Sequence, residues 1–288
     1  MRTTDGDNAV MAGPLTHLRR LVRDGGSDAP GRVVDALGRV GLVGYGLVHL
    51  LVAWLALQVA FGVPDAPADP DGAIGTVART PGGFASLTLG VVGLAAFAIW
   101  QLSAAAVGFR WVRGGERFRK RVGATAKAIA TAGLAHVVLD YLLGVRRPGG
   151  DTAARRLAGE LLALPAGRLL LGAAVLVIFF LAGAMTYTGV KRTFLGDLDL
   201  RRVGPVARAA VEWLGVAGHL ARALALAVIG VLAAMAALSA DPARAGGLDA
   251  ALRTIGSSAA GAGLLAVVAA GIAAFGLFCM ADAATRRA

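Results

Sequence analysis

Three times along this chain a long apolar stretch is followed by a short polar loop, a second long apolar stretch and a cluster of basic residues. Few folds are open to such a chain. About 20 mostly apolar residues in a helix cover the roughly 30 Å hydrocarbon core of a bilayer. Inside that core only helices and closed barrels keep every backbone group bonded. The stretches 40–62, 84–109, 122–145, 169–190, 214–238 and 259–281 all meet the helical requirement. The expected fold is an all-α membrane protein with six transmembrane helices, arranged as three tandem two-helix hairpin repeats. Composition agrees: the 288 residues are 57% hydrophobic and 16% charged, against about 25% charged in soluble domains. The mean hydropathy is +0.68.

The chain divides into a basic N-terminal segment, 1–39, and three repeats at 40–112, 113–194 and 208–288. A net charge of +11 suggests nucleic acid, but the basic residues sit between apolar spans, which points to membrane topology instead. With the N-terminus inside, the cytoplasmic segments hold 19 Lys and Arg and the opposite segments 8. Both termini are therefore expected on the cytoplasmic side of the plasma membrane. The loop 146–168 runs against the rule with Arg146, Arg147, Arg155, Arg156 and Arg168. The arginine clusters are expected to meet anionic lipid headgroups. In the N-terminal segment Leu15, Leu18, Leu21 and Val22 form an apolar stripe beside arginines, open to two readings: a basic tail, or a helix lying on anionic lipid. The first apolar run starts near Val40, too deep for a secretory signal peptide.

The repeat is visible in individual residues. Arg39-Val40-Gly41 matches Arg121-Val122-Gly123, and Gly123 with Lys127 matches Gly218 with Arg222. Tyr45 fills the cation position of the first repeat. Each outer loop carries a short amphipathic stretch before the even-numbered span, ended by Pro81-Gly82-Gly83 in the first repeat and Pro165-Ala166-Gly167 in the second. In the third, Arg253-Thr254 pairs in the alignment with Arg79-Thr80. Each repeat holds two spans, so all three insert alike, and a pseudo-threefold axis along the membrane normal is expected. In these features the chain resembles a bacterial family, common in actinobacteria, known as domain of unknown function 1206 (DUF1206). The resemblance covers about residues 35–285 and implies the six-helix fold, without an activity or catalytic residues.

Ionisable groups within a span cost roughly 2.5–3.5 kcal/mol on insertion scales, so each calls for a reason. The candidates are His49 and Gln58 in the first span, Lys127, His136 and Asp140 in the third, and His219 and Arg222 in the fifth. His136 and Asp140, four apart, share a helix face. They read either as a proton or cation site or as a self-satisfying packing pair. Lys127 and Arg222 read either as an anion or lipid-headgroup site or as side chains snorkelling to the headgroups; their recurrence at one repeat position favours snorkelling. One histidine per odd helix invites a haem or metal, but the repeat alignment sets the three at different depths, so no cofactor is expected. No phosphate-binding glycine loop, zinc motif or nucleophile elbow is present. The expected function is a non-enzymatic membrane scaffold or partner-binding protein. The alternative is a small transporter or channel for protons or small ions, with its path near His136 and Asp140.

Overall fold

The computed structural model describes residues 28–62, 70–107, 113–145, 149–201, 203–257 and 261–286. The stripe at Leu15–Val22, with Trp111, Arg146 and Arg147, lies outside them. The described residues form helices and their connections: α1 (Asp28–Ala60), α2 (Pro70–Ala78), α3 (Gly83–Val107), α4 (Gly114–Leu142), α5 (Gly150–Leu162), α6 (Gly167–Lys191), α7 (Pro205–Ser239), α8 (Leu248–Gly256) and α9 (Gly261–Thr285). Six of these, α1, α3, α4, α6, α7 and α9, are long and apolar enough to cross a membrane. The protein is a multi-pass membrane protein in a lipid bilayer. α4 and α7 start well before their apolar runs. Helix-favouring basic residues extend α4 toward the headgroups, and Pro205, pre-set for the first helical turn, opens α7.

The spans pack in the order α4, α3, α1, α9, α7, α6, each against the next. The first and third pairs, α1 with α3 and α7 with α9, close as hairpins. The middle pair departs from the hairpin expectation, for α4 and α6 do not pack along each other. The six spans therefore form a ring with one side open. The cause lies partly in α5, which docks on the third unit. Asp151 Oδ1 accepts from the backbone N–H of Gly247 (2.8 Å) and Ala250 (3.2 Å), satisfying two of the exposed donors at the start of α8. Arg155 Nε donates to the Ala245 carbonyl at 3.3 Å. At the other end the gap is bridged: the Arg119 guanidinium lies 4.8 Å from the centre of the Tyr187 ring, and Lys120 Nζ pairs with Asp197 at 2.8 Å.

Two devices recur. The first is the turn from loop helix into even-numbered span. Thr80 and Gly83 donate to Val77 and Thr80; Leu164 and Gly167 donate to Leu161 and Leu164 in the same pattern. Gly83, Gly167 and Gly261 each open a span where a Cβ would overlap a loop-helix carbonyl, of Val77, Leu161 and Gly256. The preceding position is left-handed, with φ of 78° at Gly82 and 59° at Ala166, at a cost of about 1 kcal/mol for the alanine. Arg79-Thr80 and Arg253-Thr254, paired in the sequence alignment, take different local structures. Arg79 follows α2, whereas Arg253 lies inside α8 and pairs with Asp249 four residues back.

The second device is close helix crossing through small residues. A Cβ on Gly46 of α1 would lie 2.6 Å from the Gly276 carbonyl of α9, and one on Gly276 would lie 2.7 Å from that of Gly46. Apolar burial gives no net drive between helices in lipid, so backbone proximity and van der Waals packing hold this crossing. Around it lie Leu42, Phe97, Phe275, Phe278 and Cys279.

The ends of the ring are covered. Leaving α6, residues 193–201 cross from α7 to α9 and α4. Phe194 stacks on His219, Asp199 N–H donates to the Thr285 carbonyl at 2.7 Å, and Asp197 meets Lys120. Arg39 of α1 caps the end of α9 by donating to the carbonyls of Ala283 and Arg286. This is the basic end. α2, α5 and α8 lie at the opposite end, beside the turns.

Candidate functional site

Tyr45 on α1 and Arg222 on α7 belong to helices that do not pack together, yet they meet across the interior of the ring. Arg222 Nη2 donates to the Tyr45 hydroxyl at 3.0 Å. The guanidinium also lies 4.0 Å from the centre of the Phe275 ring on α9, an arrangement that favours a desolvated cation without a counter-charge. Tyr45 packs against Phe97 of α3 and Phe275 of α9, with centroids 6.3 and 6.1 Å apart.

Lys127 stands on α4, on the other side of this interior. Its side chain is exposed. It nevertheless lies within electrostatic reach of Asp197 on the covering segment, Arg222 on α7, and Asp282 and Arg286 on α9. None of those elements packs along α4; Lys127, seven residues beyond Lys120, shares the side of α4 from which Lys120 reaches Asp197. Among the described residues, neither Lys127 nor Arg222 has an acid within ion-pair distance. The nearby carboxylates are engaged. Asp282 holds Arg286 through two hydrogen bonds of 2.8 Å, Arg286 lies over the Trp100 ring at 4.6 Å, and Asp197 holds Lys120.

The other sequence candidates sit elsewhere. His136 lies nine residues from Lys127, about 180° around α4 at 100° per residue. Its side chain is 60% exposed, on the flank opposite the one that carries Lys127. Its Nδ1 is 3.9 Å from Asp140 Oδ1, beyond hydrogen-bonding distance. His49 and His219 both turn Nδ1 to the carbonyl four residues back, Tyr45 at 2.8 Å and Gly215 at 2.7 Å. His49 leans on Phe275, and His219 is buried among Phe194, Phe275 and Phe278. Gln58 is half-buried on α1 toward the opposite end. The structure thus gathers Tyr45, His49, His219 and Arg222 around Phe275, with Lys127 within electrostatic reach of Arg222, and leaves His136 and Asp140 on another side of α4.

Sequence reasoning did not single out Asp197, Asp282 or Arg286. The available signal was the acid–base pair four residues apart, Asp282 and Arg286, just beyond the last apolar run. Among the described residues no group of three His, Cys, Asp or Glu has metal-binding spacing. One surface recess of about 280 Å³, lined by Val59, Arg253 and Leu265, lies at the opposite end; its cation, Arg253, is already paired with Asp249.

Comparisons with known proteins match this frame. The model of the family described as Domain of Unknown Function (DUF1206) matches residues 40–108 and 217–286, the two pairs of spans that close as hairpins. Tyr45, Arg222, Asp282 and Arg286 fall inside these matches and Lys127 lies between them. The chain is similar to "Uncharacterized protein YxxB" of Bacillus subtilis (strain 168), at 27% identity over 248 residues, covering 85% of this chain and 88% of that one. No solved structure matches the chain. The DUF1206 family model thus matches the chain twice, once in its first and once in its last pair of spans, and it is that family the chain resembles.

Proposed function

We propose that this membrane protein is a non-enzymatic binding protein whose interior holds an anionic group between Lys127 and Arg222. One observation carries the reading. Two cations on separate spans, Lys127 and Arg222, lie within electrostatic reach of each other, with no acid within ion-pair distance of either among the described residues. A cation at membrane depth is costly without a partner. Tyr45 and Phe275 supply part of the compensation for Arg222, and an anion between the two supplies the rest. A scaffold acting only through its outer surface leaves this inward charge without a purpose.

The test is thermal stabilisation of the detergent-purified protein by inorganic phosphate. Lys127→Gln is expected to weaken the apparent affinity about tenfold, the worth of one charge-assisted hydrogen bond, while His136→Ala leaves it unchanged. Equal affinity in wild type and Lys127→Gln would remove Lys127 from the site.

The reading also sets the basic end in the cytoplasm, where most of the Lys and Arg outside the spans fall. Thr152→Cys, on the exposed side of α5, is then expected to react with an impermeant maleimide on intact cells. Cys279, the natural thiol, is buried and gives little background. Labelling only after lysis would reverse the orientation.

A further inference from the structure

Among the described residues, segments lie at both ends of the bundle around Lys127 and Arg222, and none packs between α4 and α6. Residues 193–201 cross the basic end, tied to α4 by Asp197 and to α9 by Asp199. The short helices α2, α5 and α8 lie at the opposite end. Between α4 and α6 no described helix packs against both spans. Arg119 with Tyr187 of α6, and Lys120 with Asp197 just after α6, bridge the two sides at the basic end. Lys127 lies seven residues further along α4 than Lys120, about 10 Å deeper at 1.5 Å per residue, and is exposed there. α6, on the far side of the gap, has 17% of its spanning window buried, the smallest share of the six spans. Leu176, Val177 and Phe180 on it face outward.

We infer that the anion is the phosphate of an anionic phospholipid, drawn sideways between α4 and α6 to Lys127 and Arg222 while its acyl chains remain in the bilayer. The inference rests on the anion-binding reading and adds the source of the anion. Three features select a lipid over a dissolved anion. Described segments lie at both ends of the bundle, no described helix packs between α4 and α6, and the flanking surface of α6 is apolar as acyl chains require. The two cations supply the headgroup partner. A phosphate oxygen accepts from a guanidinium and an ammonium at once.

The experiment is native mass spectrometry of the detergent-released full chain with added phosphatidylglycerol, beside the phosphate titration described above. Wild type is expected to retain one phosphatidylglycerol that Lys127→Gln loses at least tenfold more readily and Lys127→Arg keeps. Phosphatidylglycerol carrying a photoactivatable group midway along an acyl chain is expected to label α4 and α6 together, and that joint labelling is expected to vanish in Lys127→Gln. Lipid retention that depends on Lys127, with or without a phosphate effect, supports the inference. A Lys127-dependent phosphate effect without lipid retention leaves the anion site standing and overturns the lipid as its source. Retention and labelling unchanged in Lys127→Gln, with no phosphate effect, overturn both.

Discussion

Gly46→Leu is expected to lower the midpoint of thermal unfolding by about 10 °C, whereas Gly44→Leu, two residues earlier on the same helix, leaves it nearly unchanged. The difference lies in what each side chain meets. A Cβ at position 46 falls 2.6 Å from the Gly276 carbonyl and 3.1 Å from the Cys279 side chain, while one at position 44 meets nothing within 4 Å. A carbonyl in a helix cannot rotate away, so α1 and α9 must separate. Overpacking of this kind costs roughly 3 kcal/mol, and a chain of this size loses about 2–4 °C per kcal/mol. Separation also disturbs the interior, because Tyr45 on α1 and Phe275 on α9 both hold Arg222. The chain carries its own probe. Cys279, the sole cysteine, is 2% exposed in this interface, so a thiol-reactive dye reports its opening during a temperature ramp. Equal midpoints for the two variants would mean that the crossing is not packed as described.

The spans themselves were legible because the bilayer leaves the chain little choice. The run 40–62 became Gly38–Ala60, and 169–190 became Gly167–Lys191. Apolar length suffices where unbonded backbone is excluded. The turns into the even-numbered spans were legible for a similar reason: Pro165-Ala166-Gly167 stops one helix and leaves room, at Gly167, for the next to start against it. Facing was harder. Hydropathy records how deep a residue lies and not which way it turns, so for Lys127 and Arg222 the sequence fits snorkelling and an anion or lipid-headgroup site alike. Their recurrence at one repeat position favours a shared topology device. Recurrent positions in units set around a common interior also approach one another, as Tyr45 and Arg222 do at 3.0 Å. Tyr45, which breaks the cation pattern, is the hydroxyl that Arg222 uses. The parting of α4 from α6 left no mark in composition, since it depends on where α5 docks through Asp151 and Arg155.

Asp282→Asn is expected to move stability and anion affinity in opposite directions. Asp282 and Arg286 are 7% and 13% exposed and share two hydrogen bonds of 2.8 Å. Removing one partner of a buried pair leaves the other charged and uncompensated, at a cost of about 3 kcal/mol. The Trp100 ring under Arg286 offsets part of this. The unfolding midpoint falls accordingly, by roughly 10 °C. Asp282 is also one of the two carboxylates within electrostatic reach of Lys127. Without it the interior is more positive by one unit of charge, and an anion beside Lys127 and Arg222 is held more tightly. Phosphate affinity is then expected to rise severalfold in a protein that melts earlier. Damage to the fold alone lowers both quantities together. A fall in affinity alongside the fall in midpoint would sink the electrostatic account of the interior. Asp140→Asn serves as the contrast, because Asp140 lies on the side of α4 away from Lys127 and its loss leaves the affinity where it was.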